Sequence, residues 1–214
     1  MDIKIHRAIE QWSGELSGVF TMADLRVVLG DRTEAALFKR LAGLVREGVL
    51  VKVKRGLYAV PGASLEEISH RIDPKAYIST GTVLARHALI GSVPARRVQA
   101  VRTGRPRTYR CALGTIEHLS IAPRLYFGFS LEDGILRATP EKAFLDTCYY
   151  RWRGKTFSFD PASDVNTGDL DRELLAGYLE RYDARFAEFF ERVFFDGDLG
   201  TRERKPVLVR EPAV

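Results

Sequence analysis

The stretch of residues 33–60 constrains the fold most, because an amphipathic helix is followed there directly by a short basic hairpin. Leu37, Leu41 and Leu44 recur at intervals of three or four residues, the period of an α-helix with one buried face. Thr33 is placed to cap the start of this helix. The pattern predicts a helix that packs its leucines against a core and exposes the opposite face.

The exposed face of this helix is cationic, because Lys39 and Arg46 lie there among small alanines. Alanines let a helix approach a DNA groove closely, while Lys and Arg side chains reach phosphates or base edges. Arg32, just before the helix, and its cap Thr33 belong to the same candidate DNA-binding surface. A solvated helix face would explain the same charges without any ligand, so this pattern alone does not decide the function.

The sequence V-L-V-K-V-K at residues 49–54 places valines on one face of a strand and lysines on the other. Arg55 and Gly56 form the turn, after which the chain returns as a second strand. The outward cations Lys52, Lys54 and Arg55 are therefore positioned to contact phosphates. Lysines also protect the exposed edge of a sheet from pairing, and the two interpretations are compatible.

Two more helices are predicted upstream, at residues 3–12 and 20–29. Thr21 and Asp24 have the spacing of a capping box at the start of the second helix. The first helix has an apolar stripe that ends at Trp12 and is expected to close a small core. Three helices followed by a hairpin are the order of a winged helix-turn-helix, a fold that reads DNA.

The chain of 214 residues is long enough for two domains. We predict a winged helix-turn-helix DNA-binding domain at residues 1–62, and a mixed α/β regulatory domain at residues 63–214. The whole chain is then of the α+β class. Thr139 and Pro140 give a strong start signal for a helix at residues 140–152. The other elements predicted in this part include a helix at residues 77–90 and strands at residues 98–102, 108–113, 116–121 and 125–129.

Charge is distributed unevenly in the second domain. No acidic residue lies between Asp73 and Glu117, whereas residues 130–200 carry 15 acidic and 9 basic side chains. The basic stretch is suited to a polyanion or to an acidic protein surface, and pairing with the acidic part of the same chain is a further alternative. The possible second basic surface consists of Arg96, Arg97, Arg102, Arg105, Arg107 and Arg110.

Motifs for catalysis, metals and cofactors are absent from the sequence. Cys111 and Cys148 lack the spacing of a metal or redox motif, and the four histidines are scattered. Glu141, Lys142 and Asp146 resemble the charged residues of metal-dependent nucleases, but a capping Glu and a helix-surface Lys-Asp pair explain them without chemistry. The sequence also has no apolar run that would cross a bilayer, and its start, M-D-I-K-I-H, lacks the apolar core expected of a signal peptide. These observations favour a cytoplasmic, non-enzymatic protein without metal, cofactor or small-molecule substrate.

Three short motifs resemble one known family. They are R-G-L-Y at residues 55–58, Y-I-S at residues 77–79, and P-E-K-A at residues 140–143, which is followed by Asp146. Over about residues 20–150 the chain resembles the AbiEi-type antitoxins of type IV toxin-antitoxin systems.

The resemblance implies an N-terminal winged helix that represses the toxin-antitoxin operon. It further implies a C-terminal domain that neutralises a nucleotidyltransferase-like toxin. Double-stranded DNA and such a toxin are therefore the expected partners. A stand-alone regulator, or an interaction module whose winged helix no longer binds DNA, are the alternatives.

Overall fold

The computed structural model describes residues 3–31, 33–91 and 96–194. Its N-terminal unit contains three helices and a small antiparallel sheet with the strand order β1-β3-β2. The elements are α1 (Ile3–Glu15), β1 (Val19–Thr21), α2 (Met22–Leu29), α3 (Glu34–Arg46), β2 (Val51–Lys54) and β3 (Leu57–Ala59).

The core of this unit is formed by the predicted apolar residues. Leu37, Leu41 and Leu44 of α3 are buried together with Phe20 and Ile9. The predicted winged helix-turn-helix is thereby confirmed, with strand β1 as an addition. One residue was wrongly assigned to this core, since Trp12 is 37% exposed. Leu16, one turn further along the chain, packs against the core cluster instead.

The second unit is built on a mixed sheet of six strands in the order β6-β7-β5-β4-β9-β8. Parallel and antiparallel pairs alternate across this sheet. The first half contains α4 (Leu65–Ile72), β4 (Tyr77–Ile78), α5 (Gly81–Arg86), β5 (Arg97–Thr103), β6 (Arg107–Cys111) and β7 (Gly114–Ile121). The second half contains β8 (Phe129–Glu132), β9 (Ile135–Ala138), α6 (Pro140–Trp152), α7 (Arg172–Leu179) and α8 (Ala184–Phe194). The predicted α+β class, with a mixed α/β second part, is confirmed.

Two predicted elements of this unit were wrong. The helix predicted at residues 77–90 is divided into strand β4 and the short helix α5. Tyr77 and Ile78 pair with the central strand β5, and Thr80, at φ 52°, interrupts any continuous helix. The strand predicted at residues 125–129 is a 3-10 turn at Pro123–Leu125 followed by β8, which begins at Phe129.

An apolar cluster joins the two units. Val19, Val53 and Leu57 of the N-terminal sheet are buried against Ile68 of α4 and Ile116 of β7. The edge strands β2 and β6 also lie next to each other. The winged helix is therefore fixed to the second sheet by shared core packing. No helix within the described ranges is long and apolar enough to cross a membrane.

Candidate DNA interface

Helix α3 presents its predicted cationic face to solvent. The Thr33 hydroxyl caps the helix by accepting a hydrogen bond from the Ala36 N–H at 3.3 Å. Lys39 and Arg46 are exposed, on the side opposite the buried leucines. Arg32, which was assigned to the same surface, lies outside the described residues. The helix therefore places a small, positively charged surface where a DNA groove would meet it.

Local contacts define both ends of α2 and the turn that leads to α3. The predicted capping box at the start of α2 is present, with Thr21 and Asp24 each accepting from the backbone N–H of the other. Gly30 ends α2 in the left-handed conformation, at φ 66° and ψ 21°. Arg40 of α3 pairs with the buried Asp31 at 3.0 Å. These contacts fix the angle at which α3 leaves the helical core.

The hairpin β2–β3 forms the wing. Lys52, Lys54 and Arg55 are exposed, whereas Val53 between the lysines is buried. Gly56 adopts φ 79°, a conformation that favours glycine, and its carbonyl oxygen accepts a hydrogen bond from the Met22 N–H at 3.2 Å. The tip of the wing is thus held against the start of α2.

The cations of α3 and of the wing are available for a ligand. Among the described residues, none of the five forms an ion pair or a side-chain hydrogen bond. Because no described carboxylate pairs with them, they create a positive field that attracts phosphates. These five are Lys39, Arg46, Lys52, Lys54 and Arg55.

The possible second basic surface is only partly free. Arg96 donates hydrogen bonds to the carbonyl oxygens of Leu113 and Ala112, and Arg102 pairs with Asp73 at 3.0 Å. Within the described ranges, none of the six arginines pairs with an acidic residue of the C-terminal part. No ion pair among the described residues therefore supports the alternative that this arginine-rich segment pairs with residues 130–200. The arginines without a hydrogen-bonded partner in this part of the structure are Arg97, Arg105, Arg107 and Arg110.

The Lys-Asp pair of α6 is not on the helix surface, contrary to the prediction. Lys142 and Asp146 are both fully buried, and the Lys142 Nζ lies 2.6 Å from an Asp146 carboxylate oxygen. Tyr77 and Ser79 donate to the other carboxylate oxygen, at 2.9 and 2.8 Å. Lys142 also donates to the Tyr182 hydroxyl at 2.8 Å.

Burial dominates the electrostatics of this buried Lys-Asp cluster. It lowers the pKa of Lys142, although the adjacent Asp146 opposes the shift. It also raises the pKa of Tyr77 and Tyr182, and the charge of Asp146 adds to the increase. Every polar atom of the ion pair has a partner, so the cluster joins the sheet, α6 and the segment after α7. It resembles a structural network more than a reactive site.

No metal centre is found in the part of the chain that the structure describes, because no group of three or more metal-ligating side chains occurs there. Sequence reasoning missed the contacts between the two units. The main example is the ion pair between Asp24 and Arg71, whose Oδ2 and Nη2 atoms lie 2.7 Å apart. They are 47 positions apart, and no local pattern connects them.

Comparison with known families agrees with the geometry of the N-terminal unit. Residues 7–61 match the family described as "Transcriptional regulator, AbiEi antitoxin". The matched range begins in α1 and ends just after the wing, so it contains the whole candidate DNA interface. No curated protein matches the chain. The match supports a role as a transcriptional regulator or antitoxin. The predicted resemblance is confirmed over residues 7–61, the segment that matches this family of transcriptional regulators.

Proposed function

We propose that the protein is a sequence-specific, DNA-binding transcriptional regulator that acts by binding and not by catalysis. The observation that carries this proposal is the set of five exposed cations on α3 and the wing, none of them paired with a described residue. Exposed cations that have no ion pair with a described carboxylate are suited to the phosphate backbone.

The two parts of the surface have different tasks under this proposal. Helix α3 lies in the major groove, where Lys39 and Arg46 reach bases or phosphates and the exposed alanines permit a close approach. Arg32 and Thr33 lie at its leading end. Lys52, Lys54 and Arg55 of the wing hold phosphates and fix the position of the protein along the duplex.

The test is a titration of the full-length protein with DNA from upstream of its own gene, followed by fluorescence anisotropy at several salt concentrations. Replacing Lys52, Lys54 and Arg55 together by Ala should weaken binding to all sequences. It should also reduce the slope of log K against log salt by about 1 for each phosphate that the variant no longer neutralises. An unchanged slope would remove the wing from the interface.

The matched control removes the same charge from helices of the second unit. Arg151, Arg172 and Arg185 are exposed on α6, α7 and α8 and have no ion pair with any described residue. Their combined replacement by Ala should leave affinity and salt slope close to those of the wild type. If the control weakens binding as much as the wing variant, net charge and not the wing is responsible.

We further propose that the protein represses its own operon and neutralises a nucleotidyltransferase-like toxin. The antitoxin description of the matched family supports this proposal. Co-expression with the product of the adjacent gene tests it directly, since the full chain should restore growth if that product is toxic. A reporter under the chain's own promoter tests repression separately. Repression without any toxic neighbour would identify a stand-alone regulator.

A further inference from the structure

The hairpin β5–β6 carries a compact cationic tip. Its loop, T-G-R-P-R at residues 103–107, is exposed over its whole length. Gly104 adopts φ 98°, which makes the turn tight, and Pro106 restricts the backbone beside it. Arg105 and Arg107 form no ion pair or side-chain hydrogen bond with any described residue. The tip thus holds two free guanidinium groups on a narrow, restrained loop.

A chain of contacts places this tip near the end of the wing. The wing tip is bound to the start of α2 through the hydrogen bond between Gly56 and Met22. Asp24, in the first turn of α2, pairs with Arg71 in the last turn of α4 at 2.7 Å.

The next contacts continue from α4 to the hairpin. Asp73, which caps the end of α4, pairs with Arg102 at 3.0 Å. Arg102 is the residue before the loop of residues 103–107. The wing tip and the hairpin tip therefore lie at the same end of the molecule, connected by two ion pairs.

The strand faces agree with this arrangement. Tyr109 of β6 packs against the cluster that contains Val53 of the wing. Arg107 is two residues away on the same strand, so it lies on the same face of the sheet as Tyr109. Arg110, in contrast, lies on the opposite face. Arg107 is therefore on the wing side, and Arg110 provides a matched control on the same strand.

The chemistry of the tip matches the minor groove of DNA. Arginine enters narrow, A·T-rich minor grooves, where the negative potential is strongest. Arg105 lies at the apex of the exposed loop, between Gly104 and Pro106, from where its guanidinium group can reach into such a groove.

We propose that the β5–β6 hairpin is a second wing, which inserts Arg105 into an A·T-rich minor groove beside the segment held by the first wing. Arg107 contacts the adjacent phosphates. This inference rests on the proposed DNA-binding function and adds a groove, a base preference and a contact outside the matched family segment.

The first measurement is hydroxyl-radical footprinting of the full-length protein on its own upstream DNA. The wild type should protect a minor-groove segment from cleavage. Replacing Arg105 by Ala should restore cleavage in that segment, while the rest of the footprint persists. R105A should raise Kd several-fold and reduce the salt slope by about 1. R110A should behave as the wild type, and a melting curve checks that each variant is folded.

The second measurement substitutes base pairs in that protected segment. G·C pairs place an amino group in the minor groove, whereas inosine·C pairs lack it but retain the major-groove pattern of G·C. The wild type should bind A·T and inosine·C duplexes alike and G·C duplexes more weakly. R105A should lose this discrimination.

Three results would overturn the second wing. The first is that R105A keeps the affinity and footprint of the wild type while the variant of the first wing loses binding. The hairpin would then not contact DNA, and an acidic protein would be its expected partner. Another is an equal loss with R110A. The third is inosine·C binding as weak as G·C, which indicates reading from the major groove. If the wild type itself binds no upstream DNA, the proposed function fails first and the second wing with it.

Discussion

Helices α3 and α6 are built alike and use their charges in opposite ways. Both have 13 residues, a threonine cap and a glutamate in the first turn. The Lys39 and Arg46 side chains of α3 extend into solvent without a described partner, whereas Lys142 of α6 is buried against Asp146 at 2.6 Å. A lysine on a helix therefore indicates a binding surface only where no carboxylate of the same fold lies against it.

The largest expected effect comes from breaking the pair on α6. Replacing Asp146 by Ala leaves the Lys142 ammonium buried without its carboxylate and leaves Tyr77 and Ser79 without their acceptor. We expect a loss of about 3–5 kcal/mol in the free energy of unfolding, measured by urea denaturation. Lys39→Ala on α3 is the control and should change stability by less than about 0.5 kcal/mol. Equal effects at both positions would contradict the difference between the two helices.

Acid should destabilise the protein through another buried group, His118 of β7. His118 is fully buried, and burial lowers its pKa to about 4. The unfolded chain takes up a proton at its ordinary value of about 6.5, so stability is retained above that pH and falls as pH decreases toward 4. The loss should reach up to about 3 kcal/mol. Urea denaturation at several pH values should show a smaller slope in His118→Gln, and an unchanged slope would assign the loss to other groups.

The smallest expected effect concerns the role of α3 in binding. If Lys39 reads a base, its replacement by Ala should cost about 1–3 kcal/mol of binding free energy and change the sequence preference. Anisotropy titrations with the upstream DNA and with single-base variants of it measure both. A uniform loss on all sequences would make Lys39 a phosphate contact.

Features that depend on neighbouring residues could be predicted from the sequence. The start of α6 follows from Thr139 and Pro140, and the exposed cations of α3 and the wing follow from the period of their apolar partners. The burial of Lys142 could not be predicted in this way, because Tyr182 is 40 positions away. The helical spacing of Lys142 and Asp146 is the same for a solvated and a buried pair.

The candidate site also has one part that could be predicted from neighbouring residues and one part that could not. Individual basic residues of the wing and the hairpin are visible in the sequence, but their common location depends on the Asp24–Arg71 and Asp73–Arg102 pairs. Strand β4 could not be predicted from the sequence for a related reason. Two residues with a hydrophobic sequence are too few to show a period, and only their pairing with β5 identifies them as a strand.

The apolar cluster between the two units has a consequence for protein engineering. A chimera that exchanges the N-terminal unit for that of another regulator would leave Ile68 and Ile116 facing a surface that was not shaped for them. The transplanted unit would in turn expose whatever replaces Val53 and Leu57. DNA specificity is therefore better altered by substituting exposed residues of α3 than by exchanging whole domains.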